Sequence, residues 1–284
     1  MKVSFTKMHG CGNDYIYVDC TKGEIAAPGA LSAKMSPRHY SVGSDGLVLI
    51  CRSDNCDFRM RMFNLDGSEG NMCGNAIRCI GKYVYDNGMT DKTELSIETK
   101  SGVRYLTLNV ENGKVSSVTV DMGTAETSPG SLPMLADAPM INAPVVIAGG
   151  EYRITAVSMG NPHQVIFCDD PDSLELEKTG SDFENFSLFP ERVNTEFVKV
   201  RGRNSLYMRV WERGSGETYA CGTGACASAV AAVLNGYCDH DEPIEVALVG
   251  GRLTVTVTRD MRVFMSGPAT KVYDGVYEYE DQAE

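Results

Sequence analysis

The feature that most constrains the fold is an internal repeat, because the chain resembles itself when it is displaced by 148 positions. Met60 to Gly88 then lies over Met208 to Gly236 without a gap. The identical positions, numbered in the first copy, are Met60, Arg61, Glu69, Cys73, Gly74, Asn87 and Gly88. Two further blocks keep the offset: Gly12-Asn13 over Gly160-Asn161, and Gly102 and Arg104 over Gly250 and Arg252. Three blocks in one order indicate a duplicated unit of about 120 to 150 residues.

Each copy consists of short strands around one helix. The first strands are VSFTKM, YIYVD, LVLIC and FRMRMFN, and their counterparts are RITAVSM, HQVIFC, TEFVKV and LYMRVW. Helices are predicted over Gly74–Asp86 and Gly222–Leu234. Each ends at Asn-Gly, two residues that tolerate the left-handed backbone conformation. Further strands follow each helix: LSIETK, VRYLTLNV and VSSVTVDM, then IEVAL, LTVTVT and VFMSG.

These elements predict an α+β fold with two pseudo-symmetric domains, each a mixed or antiparallel barrel-like sheet around a central helix. The first domain is predicted at residues 1–121, completed by a C-terminal strand at about 263–284, and the second at residues 122–262. The boundary is the stretch from Met122 to about Ile141, whose SPGSLP and ADAP segments are typical of a linker. Domains related by an approximate two-fold axis place equivalent residues on either side of one cleft, where we expect the active site.

Composition excludes several classes of function. The 26 basic and 38 acidic residues give a net charge of −12, and no Lys/Arg cluster supplies the footprint of a nucleic-acid or anionic-membrane binder. No apolar leader precedes the first strand and no run approaches the ~18 apolar residues of a spanning helix. We therefore expect a cytoplasmic protein that binds a small molecule.

Ten cysteines call for an explanation in a chain without an export signal. The pairs nearest to zinc-ligand spacing, Cys51/Cys56 and Cys221/Cys226, have no histidine close by in sequence, so no metal site is predicted. A peroxidase or disulfide exchanger usually carries C-x-x-C, which does not occur here. Most of the cysteines are predicted to be small buried hydrophobes. The non-enzyme alternative is a thiol-rich binding or metal-storage protein.

Cys73 and Cys221 differ from the rest because the repeat makes them equivalent and each directly precedes a predicted helix. A helix N-terminus favours a thiolate, and its free N–H groups can hold a carboxylate. Two such thiols on opposite faces of a carbon beside a carboxylate could remove a proton from one face and return one to the other. With a reference pKa of about 8.5, lowered for one thiol by its surroundings, they could act as base and acid.

Polar side chains in turns are the second candidate set: Asn13, Asn64, Asn75, Asn161, Asn194, Glu212 and Arg213. Arg213 could clamp a carboxylate, and Glu212 could accept from an ammonium group or orient Cys221. His163 could orient or deprotonate Cys73. The structural alternatives are turn-forming asparagines, solvated charges at Glu212-Arg213 and a histidine that is part of the core.

The motifs GCGNDYIYVD, GSDGLVLI, FNLDGSEGNMCGNAIRC, SMGNPHQVIF, RVNTEFV and VWERGSGETYACGTGACA, in this order, closely resemble the diaminopimelate epimerase family. The resemblance covers nearly the whole chain. It implies interconversion of LL- and meso-diaminopimelate without pyridoxal phosphate or metal, in lysine and peptidoglycan precursor synthesis. It also implies two similar domains that close over the substrate, and a homodimer.

Carried over by motif, Cys73 and Cys221 correspond to the two catalytic acid/bases, supported by His163 and Glu212. The implied substrate contacts are Asn13, Asn64, Gly74, Asn75, Asn161, Asn194, Glu212, Arg213, Gly222 and Thr223. Gly46 stands where many members have Gln, so one side-chain amide toward the distal end of the substrate is missing. Ala76 replaces a frequent Gly.

The wider group includes proline racemases, whose second motif has Asp-Arg-Ser-Pro where this chain has Glu217 to Ala220, and phenazine-biosynthesis isomerases, which lack the paired cysteines. The enzymatic alternative is a racemase of another amino acid, such as histidine.

Overall fold

The computed structural model describes residues 2–278, which divide into two compact units. Unit 1 comprises the described residues up to Val120 and those from Gly267 onward, and unit 2 is Asp121–Ser266. Of the strand predicted at about 263–284, residues 279–284 lie outside the described residues.

Unit 1 is built on one mixed sheet. Its strands are β1 (Lys2–Gly10), β2 (Asn13–Cys20), β3 (Gly46–Cys51), β4 (Phe58–Asn64), β5 (Glu69–Gly70), β6 (Glu94–Thr99), β7 (Gly102–Glu111), β8 (Lys114–Thr124) and β18 (Thr270–Glu278). The pairing order is β18-β1-β2-β3-β4-β6-β7-β8, with β5 added to β4 as a hairpin. The β2/β3 and β4/β6 pairs are parallel and the others antiparallel.

The core of unit 1 is organised by helix α2 (Gly74–Asp86), which packs against β1, β2 and β7. Because these strands come from opposite ends of the pairing order, the sheet must curve around the helix. Ile77, Ile80 and Val84 are fully buried at helical spacing. A shorter helix, α1 (Pro28–Met35), covers β3 and β4.

Unit 2 repeats this topology. Its strands are β9 (Ala143–Ile147), β10 (Gly150–Ser158), β11 (Pro162–Phe167), β12 (Asn194–Gly202), β13 (Ser205–Glu212), β14 (Gly216–Thr218), β15 (Ile244–Leu248), β16 (Gly251–Val257) and β17 (Arg262–Gly267). The order is β9-β10-β11-β12-β13-β15-β16-β17, with β14 on β13 and parallel pairs β11/β12 and β13/β15. Helix α4 (Gly222–Leu234) occupies the centre, and α3 (Leu176–Glu184) packs on the outside of β12 and β13. The α+β prediction with two pseudo-symmetric domains is confirmed.

The two central helices were predicted at the bounds that the structure gives them, and both end in the same way. Asn87 closes α2 with φ −93° and Gly88 follows at φ +68°; Asn235 and Gly236 repeat this geometry at −94° and +76°. Only the glycine enters the left-handed region, which glycine adopts without a steric penalty.

Some elements differ from the sequence prediction. Helices α1 and α3 and strand β9 were not predicted. The last strand, expected near Val263 to Val276, is two strands, β17 and β18, separated by Pro268-Ala269. Proline has no N–H to donate to a ladder, so pairing is interrupted there; β17 pairs with β16 and β18 with β1. Within residues 2–278 none of the helices has the length and apolarity needed to cross a membrane.

Candidate active site

Cys73 is the N-cap residue of α2, in extended conformation, and its side chain is half-buried. Its Sγ donates to Asn13 Oδ1 at 3.4 Å. Asn75 Nδ2 donates to the same oxygen at 3.3 Å. The turn at Cys11-Gly12 between β1 and β2, with φ values of +53° and +85°, delivers Asn13 to the first turn of the helix. The structure thus brings together three predicted site residues of unit 1 from two separate motifs.

A cluster of charged side chains orients Asn13. Asp45 Oδ2 accepts from Asn13 Nδ2 at 2.8 Å, and Arg38 bridges Asp45 and Asp14 at 2.7 and 2.6 Å. Lys7, almost fully buried, lies 2.5 Å from Asp14. Burial opposes ionisation of Asp14, but hydrogen bonds from Arg38 and Lys7 outweigh it and lower the pKa of that carboxyl. Because the Asn13 amide nitrogen donates to Asp45, the amide group is oriented with its Oδ1 atom toward Cys73.

Arg78 is fully buried one turn into α2 and was not predicted as part of the site. Its guanidinium donates to Gly74 O at 3.1 Å and to Asn75 Oδ1 at 2.9 Å. It also reaches Pro268 O at 3.3 Å. The arginine thereby fixes the backbone and the side chain that immediately follow Cys73. Nothing in its sequence position distinguishes it from a solvent-facing helix residue.

Asn64 and Gly46 lie opposite each other where β3 and β4 pair. The Asn64 side chain is exposed and donates to Ser68 Oγ at 3.0 Å. A Cβ atom at Gly46 would lie 2.1 Å from the carbonyl oxygen of Phe63. The close approach of the two strands therefore favours glycine at position 46.

Cys221 is the N-cap residue of α4 and is buried, in contrast to Cys73. Its Sγ accepts from Gly224 N at 3.3 Å and lies 3.5 Å from Thr223 Oγ1. Burial raises the pKa of the Cys221 thiol well above its usual value, and Glu212 and Glu196 raise it further. The contacts with Thr223 and Gly224 only partly offset this. The predicted preference of a helix N-terminus for thiolate is therefore overridden at Cys221.

Glu212, at the end of β13, hydrogen-bonds the Cys221 side chain and accepts from Thr218 Oγ1. Burial raises the pKa of the Glu212 carboxyl, while Thr218 and Cys221 lower it by hydrogen bonding. The predicted contact between Glu212 and Cys221 is thus present. A buried carboxyl in hydrogen-bonding contact with a thiol is placed where it could exchange a proton with that thiol.

His163 is fully buried in unit 2 and contacts two acceptors. Its Nδ1 lies 2.7 Å from Glu196 Oε1 and its Nε2 lies 3.1 Å from Asn161 Oδ1. Asn161 Nδ2 donates to Thr223 Oγ1 at 3.3 Å, which links the histidine to the start of α4. The role of His163 toward Cys73 stays a prediction.

Glu196 is a fully buried carboxylate on β12 that sequence reasoning missed. Its Oε1 contacts His163, and its Oε2 has no hydrogen-bond partner among residues 2–278. A Cβ atom at Gly224 would lie 2.6 Å from Glu196 Oε1, so a glycine in the first turn of α4 makes room for the carboxylate. The available signal was a Glu within the apolar strand TEFVKV, since a buried charge in a strand usually has a function.

Asn194 and Arg213 hold a turn together at the edge of the unit 2 site. Asn194 Oδ1 accepts from Arg213 N at 3.0 Å, and its Nδ2 donates to Pro162 O at 2.9 Å. The half-buried Arg213 guanidinium donates through Nη1 to Glu191 O at 3.0 Å. A guanidinium carries five N–H donors, so this contact leaves Arg213 able to bind an anionic group as well. In residues 2–278 no group of three or more His, Cys, Asp or Glu side chains is arranged to hold a metal ion.

Comparison with known families gives a consistent result. The family model for diaminopimelate epimerase matches residues 5–128 and 155–272. A diaminopimelate epimerase of Agathobacter rectalis is 51% identical over 282 residues, covering 96% of this chain and 98% of the relative. One from Methanococcus maripaludis is 50% identical over 275 residues, covering 96% and 99%.

Solved structures with similar backbones are more distant in sequence. A phenazine biosynthesis protein of the PhzF family from Bacillus anthracis superposes with a TM-score of 0.71 at 17% identity, covering 98% of this chain and 100% of the other. A hydroxyproline epimerase from Agrobacterium vitis gives a TM-score of 0.72 at 14% identity, covering 99% and 94%. At these identities the likeness concerns the fold alone.

Proposed function

The chain belongs to the diaminopimelate epimerase family, and from that premise we propose that it interconverts LL- and meso-diaminopimelate with Cys73 and Cys221 as the two acid/base groups. The reaction proceeds without pyridoxal phosphate. One thiolate removes the α-proton, and the other thiol donates a proton to the opposite face of the same carbon. The reverse direction exchanges their roles, so a thiol must stand on each face.

The observation that carries this assignment is the equivalence of the two thiols. Each caps a helix of 13 residues, neither is in a disulfide within the described residues, and each is hydrogen-bonded to a polar side chain of its own unit. The remaining eight cysteines do not share this position. Cysteines at chance positions in a duplicated chain would not occupy equivalent helix caps.

The substrate carboxylate beside the reacting carbon would bind to backbone N–H groups at the two helix N-termini, those of Gly74, Asn75, Gly222 and Thr223. These donors favour negative charge, so they also stabilise the carbanion that forms when the proton leaves. Asn13 and Asn161 would hold the amino-acid centre. Asn64, Asn194 and Arg213 would hold the distal end, with Arg213 contributing a charge-assisted contact.

Cys221 favours the thiol form, because burial and two neighbouring carboxylates raise its pKa. We assign Cys221 the role of proton donor for the stereoisomer whose α-hydrogen is removed by Cys73. Glu212, hydrogen-bonded to Cys221, accepts the proton when Cys221 must become the base. His163 is the proposed proton acceptor for Cys73.

The experiment that tests this assignment compares Cys73→Ala and Cys221→Ala with Cys226→Ala, a control at a second cysteine of α4 that is also buried. Each catalytic variant should lose on the order of 100- to 10,000-fold in kcat, while Cys226→Ala retains wild-type turnover in the folded fraction. Substantial epimerase activity in either catalytic variant would contradict the two-thiol assignment.

We further propose that the protein acts in the cytoplasm as a homodimer. Strand β18 supports self-association, because it carries the exposed apolar side chains of Val272, Tyr273 and Val276. Sedimentation velocity should give twice the 30.8 kDa mass of one chain, and a species of one chain mass would contradict the dimer. Cell fractionation tests the location.

A further inference from the structure

Unit 1 contains a pair of thiols that takes no part in the proposed epimerase reaction. Cys20 is the last residue of β2 and Cys51 the last residue of β3, and they are register partners across this parallel pair. Partners in neighbouring strands lie about 4.7–4.9 Å apart in the hydrogen-bonding direction and point to the same face of the sheet. This separation falls within the Cα–Cα range of about 4.4–6.8 Å found in disulfides.

The two thiols are in direct contact but differ in accessibility. Their side chains hydrogen-bond each other. Cys20 is buried in the apolar cluster beneath α1, and Cys51 packs against the rim of that cluster and is half-buried. Because both residues end their strands, the backbone beyond them leaves the ladder and can adjust to the geometry of an S–S bond.

Charged neighbours make Cys51 the more reactive member of the pair. The hydrogen bond from Cys20 lowers the pKa of the Cys51 thiol, and the positive charges of Arg61 and Arg59 lower it further against the opposing effect of burial. The same hydrogen bond and burial raise the pKa of Cys20. A thiolate at Cys51 and a protonated thiol at Cys20 are the attacking and resolving groups that dithiol oxidation requires.

The pair is remote from the catalytic thiol of the same unit. Asn13, which hydrogen-bonds Cys73, is the first residue of β2, and Cys20 is the last of its eight residues. At about 3.3 Å per residue, the two ends of the strand are separated by roughly 20 Å. Chemistry at Cys20 and Cys51 is therefore separate from proton transfer at Cys73.

We propose that Cys20 and Cys51 form a redox-active dithiol, which a hydroperoxide oxidises to a disulfide between the ends of β2 and β3. The Cys51 thiolate attacks the O–O bond, takes one oxygen as a sulfenic acid, and releases hydroxide, which is protonated to water. The Cys20 sulfur then attacks Cys51; the S–S bond forms, the S–O bond breaks, and the leaving hydroxide takes the Cys20 proton as a second water. Two thiols are oxidised by two electrons and one hydrogen peroxide is reduced to two waters.

Peptide mapping of the reduced full-length protein tests this proposal. After treatment with one equivalent of hydrogen peroxide, alkylation and tryptic digestion without reductant, Cys51 lies in peptide 39–52 and Cys20 in peptide 8–22, together with Cys11. We expect a cross-linked species two hydrogens lighter than the sum of these peptides, lost on reduction, with fragment ions placing the bond at Cys20. Fully alkylated Cys51, or a bond at Cys11, would overturn the proposal.

Variants separate the attacking from the resolving thiol. Cys51→Ser should abolish the cross-link, whereas Cys56→Ser, a control at a half-buried cysteine in tryptic peptide 53–59, should retain it. Cys20→Ser should leave Cys51 as a sulfenic acid that dimedone traps in peptide 39–52. Absence of the dimedone adduct in Cys20→Ser, or persistence of the cross-link in Cys51→Ser, would overturn the proposal. The wild-type map does not depend on how these variants fold.

Discussion

Unit 1 buries a cation, Arg78, against the first turn of the helix that Cys73 caps, whereas unit 2 places two carboxylates, Glu196 and Glu212, at the start of the helix that Cys221 caps. The backbones are equivalent at an offset of 148 residues, but the charges are not. Arg78 corresponds to Cys226, and Glu196 corresponds to Val48.

This difference shows which properties duplication preserved and which it changed. The reaction needs a thiol on each face of one carbon, so the strand order, the helix and the N-cap position are the same in both units. The four substituents of the reacting carbon all differ, which calls for an asymmetric environment around the two proposed thiols. Replacement of a few buried side chains around a common backbone supplies that asymmetry without a change of fold.

The largest expected effect concerns the cation of unit 1. Arg78→Met should lower the free energy of unfolding by about 3 kcal/mol, because Gly74 O, Asn75 Oδ1 and Pro268 O lose a buried donor. Urea unfolding measures it. Lys82→Met, one turn further along α2, is the control and should cost clearly less. If Arg78→Met is as stable as wild type, the buried cation does not organise the first turn.

Next in size is the carboxylate that contacts Cys221. Glu212→Gln should reduce kcat by on the order of 100-fold, because the amide keeps the shape but cannot take the Cys221 proton. The control is Glu245→Gln, which removes an exposed ion pair with Arg252 and should change kcat by less than about fivefold. Equal kcat values for the two variants would remove Glu212 from the proton path.

A smaller effect is expected at Gly46, the counterpart of Asn194. Gly46→Ala should destabilise the protein by about 1–3 kcal/mol, since its Cβ would lie 2.1 Å from Phe63 O and β3 must move away from β4. Gly23→Ala is the control and should change stability by less than about 0.5 kcal/mol, because apart from its chain neighbours no described residue has a heavy atom within 4 Å of the new Cβ. Equal stability of Gly46→Ala and Gly23→Ala would show that β3 and β4 accommodate a side chain at position 46, as the equivalent strands of unit 2 do at Asn194.

The smallest effect is a displaced pH profile. Glu196 is a negative charge that raises the pKa of Cys221, so Glu196→Gln should lower that pKa. Alkylation of Cys221, followed by mass spectrometry across a pH series, should then begin at lower pH than in wild type. An unchanged profile, or one displaced to higher pH, would contradict the charge asymmetry between the units.

The sequence allowed prediction of the features that local signals encode. Helices α2 and α4 combine a buried periodicity with an Asn-Gly end, and both were predicted at their observed bounds. Helix α3 was missed because Thr179, Gly180 and Ser181 are weak helix formers. It is held by packing, with Phe183 against Phe197 and the Gly180 backbone against the Trp211 ring.

Within the site, the thiols and their asparagines could be predicted because the repeat marks them. The buried charges could not. Arg78 and Glu196 belong to residue types that are rarely fully buried, and neither helix nor strand periodicity shows that the tertiary structure encloses them. The Cys221 thiol illustrates both cases: its N-cap position and its neighbour Glu212 were visible in the sequence, but Glu196, the second carboxylate that raises its pKa, was not.

The central claim is that two thiols act on opposite faces of one carbon, and early-time isotope incorporation tests it most directly. LL-diaminopimelate would be incubated with reduced protein in heavy water and the reaction stopped at a few per cent conversion. The account predicts that the meso product carries one deuterium at the inverted carbon, while the recovered LL substrate retains its α-hydrogen. Comparable deuterium in the recovered LL substrate would mean that one group both removes and returns the proton, and would contradict the account.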